Sequence, residues 1–455
     1  MTRLLYNLTL HFLVAPLLVT YYGPQILLGG KYRRSIGGKL GKLPSGLNLG
    51  LKQGPRIWFH AVSVGEVVAL APLVEKISAS RPDLETVVST GTETGQQRAR
   101  ELIGGKVRFL YMPLDFPFSV KRVVNAVKPD LFVMTETEIW PNLIHELKRS
   151  GSRIALVNGR ISDRSFPRYL KFRRFFRDTL NLVDLFSMCS DEDASRITRM
   201  GAGPGRVTVT GNIKIDSAFR DPGQDVQQGL RKLYDLSDSD QVIMAGSIHP
   251  IEDDIVIESY RRLLEKYPGL ILLVAPRHLE NVKSIVKKIQ NSGLGTPLLK
   301  SELESRGREN GNKIIIIDRM GELFDSYSVA SAVFVGGSLV PRGGQNILEP
   351  ASWAKPIIFG PHMEDFRDSR DILLRNKAAI RVENVDELTR SFDLLLADRQ
   401  RAQNMGETGY NQLRKHVGSA AHTFRLVIDL LEDGPNRQEN SNRLFPALEF
   451  QGNRQ

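Results

Sequence analysis

The sequence predicts an α/β protein of two domains, each built around a mainly parallel sheet. The chain has 455 residues, which is more than one hydrophobic core usually serves. Short apolar runs typical of buried strands recur along it, and helical segments separate most of them. Strands that alternate with helices form parallel sheets, because each parallel connection needs a crossover. Polar residues follow several of these runs, at the end of the strand where parallel sheets bind ligands.

The chain opens with an apolar segment, residues 4–28, that contains no formally charged residue. About 25 residues are enough to span a bilayer, so we expect residues 1–30 to form a membrane anchor helix. Positive charge follows at Lys31, Arg33 and Arg34, which favours a cytoplasmic location for the rest of the chain. A helix lying in the interface and a secretory signal are the alternatives. Four residues weaken the segment as a span: Asn7, His11, Pro16 and Gln25.

The first α/β domain is predicted over residues 31–218. It opens with a strand at Ile57–Val62, and the helix Val67–Ile77 follows. Further strands are predicted at Glu85–Ser89, Val107–Tyr111, Leu131–Met134, Ile154–Val157, Leu185–Met188 and Val207–Val209.

The second domain is predicted over residues 219–435, after a polar hinge at residues 221–224. Residues 436–455 are expected to be a polar tail. The strands of this domain are predicted at Val242–Ala245, Leu270–Val274, Ile314–Ile317, Ala332–Val335 and Ile357–Phe359.

Composition narrows the kinds of partner. Lys and Arg total 62 against 51 for Asp and Glu, so the formal net charge of +11 favours an anionic partner. Aromatic residues make up 7% of the chain, and we expect no nucleic acid partner. The single cysteine, Cys189, excludes a disulfide within one chain and is expected to be a small core residue. The spacing of His and carboxylate residues indicates no metal site.

Residues 331–361 contain the strongest local pattern. The strand Ala332–Val335 leads into Gly336-Gly337, and a second pair, Gly343-Gly344, precedes a helix that opens at Asn346–Glu349. Glycines let backbone N–H groups approach a ligand, and a helix N-terminus carries partial positive charge. The pattern predicts a phosphate site that needs no metal. A plain strand-to-helix turn is the alternative.

Glu66 follows the first strand of the first domain. The spacing Ser63-x-x-Glu66 is that of a capping box, in which Glu66 would accept the backbone N–H of Ser63. The functional alternative is a carboxylate at the carboxyl end of a strand, placed to take a proton from a hydroxyl group.

Glu136 is the second carboxylate candidate. Thr135 and Glu138 have capping spacing, which leaves Glu136 as the better candidate for the site. Lys214 lies near the predicted domain junction and is suited to an anionic ligand. A solvated surface lysine is the alternative.

Four sets of polar residues follow strands of the second domain. Arg277 is suited to neutralising a phosphate, and Glu349 to binding ribose hydroxyl groups. Each set is a weak signal, and the strength lies in their equivalent positions. They are Gly246-Ser247, Pro276-Arg277-His278, Met320-Gly321-Glu322 and Asn346–Glu349.

Eight motifs lie along the chain, and in order they are Ser63–Glu66, Thr90–Gly95, Glu136–Asn142, Gly211–Lys214, Pro276–His278, Met320–Glu322, Gly336–Ser338 and Gly343–Glu349. In this order they resemble the motifs of the 3-deoxy-D-manno-octulosonic acid (Kdo) transferase family. The resemblance covers nearly the whole chain. One departure is Ile248, where many members of the family have threonine before the histidine, here His249.

The resemblance implies a GT-B glycosyltransferase of lipopolysaccharide biosynthesis, with two Rossmann-like domains facing a cleft. It implies transfer of Kdo from CMP-Kdo to a hydroxyl of a lipid A precursor, lipid IVA, at the cytoplasmic face of the inner membrane. No cofactor or metal is expected. Glu66 would be the general base, with Glu136 and Lys214 stabilising the transition state. CMP contacts would fall on Pro276, Arg277, Met320, Gly321, Glu322, Asn346, Ile347, Leu348 and Glu349.

The chemistry of such a transfer agrees with these residues. A sugar hydroxyl is a weak nucleophile and needs a base, and one base opposite the leaving group predicts inversion. A nucleotide-sugar epimerase of GT-B architecture and a non-catalytic protein that binds anionic lipid are the alternatives. The basic and aromatic stretch 164–177 is interpreted as a membrane- or acceptor-facing helix, or else as a helix that packs its aromatic residues into the core.

Overall fold

The computed structural model describes residues 2–27, 33–44, 54–105, 107–220, 223, 225–306 and 313–432. The chain forms two compact units. The first unit contains the chain up to Ser217 together with the segment that begins at Gly418, and the second is Ala218–Val417.

The first unit is built on a parallel sheet. Its strands are β1 (Arg56–Ala61), β2 (Glu85–Thr90), β3 (Arg108–Tyr111), β4 (Leu131–Thr135), β5 (Arg153–Gly159), β6 (Leu185–Met188) and β7 (Val207–Val209). They pair in parallel in the order β3-β2-β1-β4-β5-β6-β7. This is the Rossmann order, and the direction of winding reverses between β1 and β4, where such sheets bind ligands.

Successive residues of a strand point to opposite sides of the sheet, so strands that are apolar throughout make both faces apolar. Helices cover both of these faces. Trp58 packs edge-on against Phe132 at 4.9 Å on one face, while Phe59 joins the cluster on the other. The helices are α1 (Thr2–Thr9), α2 (Ala15–Leu27), α3 (Arg33–Lys39), α4 (Val64–Ser80), α5 (Glu93–Leu102), α6 (Pro117–Val127), α7 (Pro141–Arg149), α8 (Phe166–Lys171), α9 (Arg173–Leu180), α10 (Asp191–Met200) and α11 (Ile213–Ala218).

The second unit repeats the arrangement. Its strands are β8 (Val242–Ile248), β9 (Ile271–Pro276), β10 (Leu298–Leu299), β11 (Ile314–Ile316), β12 (Ala332–Val335), β13 (Ile357–Phe359) and β14 (Ala379–Arg381), all parallel, in the order β10-β11-β9-β8-β12-β13-β14. The winding reverses between β8 and β12. Its helices are α12 (Val226–Leu233), α13 (Glu252–Leu264), α14 (Val282–Asn291), α15 (Lys300–Arg306), α16 (Leu323–Ser326), α17 (Leu348–Ser352), α18 (Arg367–Arg375), α19 (Val385–Ala397) and α20 (Arg399–Arg414).

The prediction of two Rossmann-like α/β domains, the architecture of GT-B enzymes, is confirmed. That they face a cleft stays a prediction. Every predicted strand is present within three residues at each end, whereas β10 and β14, of two and three residues, were not predicted. The central helix α17 begins at Leu348, so Asn346 precedes it.

The predicted end of the second domain at residue 435 is wrong. The second unit ends at Val417, and a final helix, α21 (Ser419–Glu432), belongs to the first unit. Its side chains Val427 and Leu430 join the core cluster that contains Phe59, which is why the chain returns there. Asp216 accepts the backbone N–H of Gly418 and of Ala420 at 2.8 Å each. The predicted tail, and all of the predicted hinge except Gly223, lie outside the described residues.

The N-terminal segment is a helix, as predicted. A π-helical turn, Leu10–Val14, joins α1 to α2. The stretch Arg3–Gln25, of 23 residues with a mean hydropathy of 1.5, is long and apolar enough to cross a membrane by length and composition.

Candidate functional site

Glu66 lies in the first turn of α4, where three hydrogen-bond donors meet its buried carboxylate. Oε2 accepts the Val62 backbone N–H at 2.8 Å and the Thr135 hydroxyl at 3.0 Å, and Oε1 accepts the Ser63 hydroxyl at 2.9 Å. The predicted bond to the Ser63 backbone N–H is therefore wrong, because Glu66 reaches one residue further back, to Val62. Thr135 ends β4, so the carboxylate bridges the two strands at which the winding of the sheet reverses.

Glu136 and Lys214 form an ion pair beside this carboxylate. Lys214 Nζ lies 2.6 Å from Glu136 Oε1, and a Cβ built on Gly65 would lie 3.8 Å from the same nitrogen. Glu136 has a φ of +56°, which non-glycine residues adopt with strain, and its backbone N–H bonds to Val157 O at 3.0 Å. This strained residue carries the side chain that pairs with Lys214. Glu66, Glu136 and Lys214, which the sequence predicted as site residues, therefore lie close together.

Glu138 is a third carboxylate of the cluster, and the sequence interpretation missed it. The predicted capping pair with Thr135 is wrong, because no helix begins there: the next helix, α7, starts at Pro141. Glu138 Oε2 instead accepts the indole N–H of Trp140 at 2.8 Å. Burial, and then the negative charges of Glu66 and Glu136, raise the pKa of Glu138 to about 7, although the Trp140 hydrogen bond opposes this.

Three carboxylates and one lysine therefore occupy the switch point of the first sheet. A carboxylate in this setting can take a proton from a hydroxyl group. A neighbouring ammonium group can stabilise negative charge that develops during a reaction. Such an arrangement is suited to acid–base chemistry.

In the second unit, Glu252 fills the first glycine loop. Its fully buried carboxylate accepts the backbone N–H groups of Gly337, Ser338 and Leu339 at 2.7, 3.0 and 2.9 Å, and that of His249 at 2.9 Å. The predicted phosphate site is therefore wrong at this glycine pair, because an internal carboxylate already takes the donors. Only the second pair, Gly343-Gly344, stays a candidate.

Close packing fixes the same two loops. A Cβ on Gly336 would lie 2.6 Å from Ile248 Cα and from Ser247 O, so no larger residue fits between the β8 and β12 loops. Ser247 and Ile251 have φ angles of +54° and +83°, and such an angle is rare in a β-branched residue such as Ile251. Glu252 thus holds together two loops at the switch point of the second sheet.

His249 directly follows β8, and the side chains of His278, Arg342 and Arg277 lie near it. Its ring centroid is 5.6 Å from that of His278, and its Nε2 is 3.3 Å from Gln345 Nε2. Burial lowers the pKa of His249, the charge of Glu252 opposes this, and His278, Arg342 and Arg277 lower it further. The region suits an anion, and the sequence pattern pointed to His249 only as the histidine that follows Ile248.

The predicted donor residues divide into two groups. Arg277 and Glu349 lie close enough to interact electrostatically. Burial raises the pKa of Glu349, while a hydrogen bond from Asn346 and the charges of Arg220 and Arg277 oppose this. Asn346 Nδ2 donates to Glu349 Oε1 at 3.2 Å. Arg220 was not predicted, because it lies beyond the predicted end of the first domain and follows no predicted strand of the second.

Glu322 is held by a second unpredicted cation. Lys300 Nζ, itself buried, lies 3.0 Å from Glu322 Oε2. Met320 is exposed, and Gly321 has a φ of +90°, which glycine adopts without strain. By contrast, three of the predicted donor residues are buried: Pro276, Ile347 and Leu348. Ile248 is buried too, so the apolar side chain at this departure from the family pattern belongs to the core.

Two further interpretations can be placed. Cys189 is buried and bonds through Sγ to Asn158 Oδ1 at 3.3 Å, as expected of a core residue. Most of the stretch 164–177 lies in two helices, α8 and α9, in which Phe166, Tyr169 and Phe176 pack against the core. Phe172, between the two helices, is 58% exposed. Among the described residues, no group of three or more His, Cys, Asp or Glu side chains is arranged to hold a metal.

Residues 34–217 match a family model described as 3-deoxy-D-manno-octulosonic-acid transferase (kdotransferase). The 3-deoxy-D-manno-octulosonic acid transferase of Haemophilus influenzae is 32% identical over 434 residues, which cover 95% of this chain and 99% of the relative. The chain belongs to the Kdo transferase family.

Other similarities are more partial. A bifunctional glycosyltransferase/methyltransferase of Fusobacterium nucleatum is 36% identical over 348 residues, covering 76% of this chain and 53% of the relative. The crystal structure of the C-terminal CMP-Kdo binding domain of WaaA from Acinetobacter baumannii is 25% identical, with a TM-score of 0.38, and covers 41% of this chain and 96% of that one.

Membership of the family makes this protein a glycosyltransferase. It decides against both alternatives, the epimerase and the non-catalytic lipid-binding protein. The N-terminal apolar helix is a candidate membrane anchor.

Proposed function

We propose that this Kdo transferase moves Kdo from CMP-Kdo to a hydroxyl group of the lipid A precursor lipid IVA, at the cytoplasmic face of the inner membrane. The observation that carries the proposal is the cluster of Glu66, Glu136 and Lys214 at the switch point of the first sheet, in a member of this family. The acceptor would bind in the first unit and the donor in the second.

The proposed reaction is a direct displacement with inversion. The acceptor oxygen forms a bond to the anomeric carbon of Kdo as the bond from that carbon to the CMP phosphate breaks. The proton of the acceptor hydroxyl passes to Glu66, and the electron pair of the broken bond leaves with CMP. Val62, Ser63 and Thr135 hold the Glu66 carboxylate in one orientation, which supports its role as the base.

Positive side chains would stabilise the other charges, so the proposal needs no metal or cofactor. Lys214, positioned by Glu136, is suited to the carboxylate of Kdo or to the developing negative charge. Arg277 would pair with the phosphate of CMP, and Glu349 with ribose hydroxyls. Pro276, Met320, Gly321, Glu322 and Asn346–Leu348 would complete the CMP site, with the buried members acting through their backbone.

Mass spectrometry of lipid made by the purified chain from CMP-Kdo tests the proposal. We expect lipid IVA to gain the mass of Kdo, and CMP to be released only when the lipid is present. CMP release without lipid product, or no reaction with lipid IVA, would overturn it.

A further inference from the structure

The N-terminal helix presents large apolar side chains to its surroundings. Leu4, Phe12 and Val19 are 65%, 78% and 70% exposed, which is typical of a surface that meets lipid. The helical stretch Thr2–Leu27 is about 39 Å long at 1.5 Å per residue. Since a bilayer is about 40–45 Å thick with its headgroups, length alone fits a helix that spans the bilayer and one that lies on it.

The first two turns of this helix are bonded to the first unit. The Tyr6 hydroxyl donates to Asp115 Oδ2 at 2.9 Å, and Asn142 Nδ2 donates to Asn7 Oδ1 at 2.6 Å. Arg3 Nε also donates to Asn142 Oδ1 at 3.1 Å. We call Tyr6, Asn7, Asp115 and Asn142 the docking contact. Asp115 and Asn142 are buried, so this contact fixes the start of the helix on the unit.

The chain that follows the helix is bonded to the same place. Lys39 O, at the end of α3, accepts the backbone N–H of Leu114 at 2.7 Å, one residue before Asp115. The Ser35 hydroxyl donates to Glu93 Oε1 at 2.8 Å. Both the beginning of the helix and the end of α3 therefore meet the loop that follows β3.

The connection is too short for a helix that crosses the bilayer. Six Cα–Cα steps separate Leu27 from Arg33, and they reach at most about 22 Å. The hydrocarbon core of a bilayer is about 30 Å thick. With the start of the helix held on the unit, a spanning helix would place Leu27 on the far side, beyond the reach of α3.

We propose that this helix lies in the interface of the membrane, on the same side as the rest of the first unit, and does not span the bilayer. The docking contact holds the polar residues Tyr6 and Asn7 in the first turns, and the exposed apolar side chains of the helix enter the lipid. The inference goes beyond the proposed reaction and depends on it in no step.

The partner of this surface is a bilayer with anionic headgroups. The Tyr6 ring packs on Phe175 at 5.4 Å, so the helix adjoins α9 and its basic residues. His11 packs on Phe116 at 5.4 Å, and Phe116 stacks on Phe118, which is 57% exposed. Exposed aromatic and basic side chains beside an apolar helix are what anionic lipid attracts. The exposed basic residues are Arg164, Arg168, Lys171, Arg173, Arg174 and Arg177.

Labelling from each side of the membrane tests the topology in the full chain. A cysteine-bearing tag is joined before Met1 in a Cys189→Ser background, and a membrane-impermeant maleimide is applied to spheroplasts and to inverted vesicles. Gln400→Cys, on the exposed start of α20, is the matched control for the side of the second unit. We expect both cysteines to react only in inverted vesicles. Reaction of the tag in spheroplasts alone would overturn the proposal.

Depth measurements give an independent result. A fluorophore on Leu4→Cys, Phe12→Cys or Val19→Cys is quenched by lipids brominated at different depths, in vesicles with and without anionic lipid. We expect all three positions about 5–10 Å below the headgroup boundary, with tighter binding to anionic vesicles. A depth that is greatest at Phe12 and reaches the middle of the bilayer would contradict an interfacial helix.

Crosslinking shows whether the docking contact exists in the membrane. Asn7→Cys with Asn142→Cys should be joined by a short bis-thiosulfonate reagent, because the native side chains are 2.6 Å apart. Leu4→Cys with Asn142→Cys is the control, since Leu4 lies on the exposed face. Equal crosslinking of the two pairs, or none in the first, would refute the docking contact. These measurements do not need enzyme activity. The proposed position of the helix can therefore be refuted while the proposed transfer reaction stands, and the transfer reaction can be refuted while the position of the helix stands.

Discussion

Replacement of Glu66 by glutamine separates its catalytic role from its structural one. Glutamine can place its carbonyl oxygen where Oε2 lies and keep the bonds from Val62 and Thr135. Its amide group would then face the Ser63 hydroxyl, which can rotate and accept. Each bond changes from a charged to a neutral acceptor, a loss of about 1 kcal/mol. We therefore expect Glu66→Gln to destabilise the first unit by about 1–3 kcal/mol and to leave it folded.

The rate should change far more than this. Loss of a general base lowers the rate by about 10²–10⁴-fold, which is about 2.7–5.4 kcal/mol in activation free energy. Kdo transfer is measured by mass spectrometry of the lipid product, CMP affinity by titration, and stability by denaturant unfolding.

Thr135→Val is the matched control for this experiment. It removes one hydrogen-bond donor to the carboxylate but keeps the base, so it should cost similar stability and leave the rate within about tenfold of wild type. If folded Glu66→Gln transfers Kdo as fast as Thr135→Val, Glu66 is not the base, and Glu138 becomes the carboxylate to test.

Three further substitutions address the other charged groups. Glu138→Gln should make the free energy of unfolding less dependent on pH. The raised pKa of about 7 means that Glu138 binds its proton more tightly in the folded wild type than in the unfolded chain, so the stability of the wild type falls by up to about 3 kcal/mol as the pH rises from 4.5 to 7. Equal pH profiles of the two proteins would refute this. Arg277→Ala should weaken CMP binding by about 1.5–3 kcal/mol in titration without lipid, and unchanged affinity would leave the phosphate to the second glycine pair. Because Glu252 holds together two loops at the switch point of the second sheet, Glu252→Gln should destabilise the second unit by about 3–5 kcal/mol in denaturant unfolding and weaken CMP binding. Wild-type values for both would contradict this role.

The fold was predictable because its signals are local. The β1 strand is buried over all six residues, and such apolar runs are visible in the sequence. The short strands β10 and β14 carry too few apolar residues to show the same pattern. The return of α21 to the first unit was not predictable, since an amphipathic helix does not specify which of two cores receives its apolar face.

The site was predictable only where a residue acts close to its own position in the chain. Glu66 was found because it follows a strand, but its bond to Thr135 joins residues 69 positions apart. Glu138 was dismissed because its spacing from Thr135 fits a cap, a pattern that has meaning only if a helix begins there.

Glu66 and Glu252 show how far local pattern reaches. Each follows a strand and accepts a backbone N–H from the residue three or four positions before it, so their neighbourhoods in sequence look alike. Glu66 also accepts two hydroxyl groups, which can reverse their polarity, whereas Glu252 meets backbone N–H groups alone, which cannot. In either orientation, the NH2 group of a glutamine at position 252 would therefore face two backbone N–H donors that cannot accept a hydrogen bond. Glutamine should be tolerated structurally at position 66 and not at 252. The difference arises from Gly337–Leu339, a loop some 85 residues away that only the fold brings into contact with Glu252.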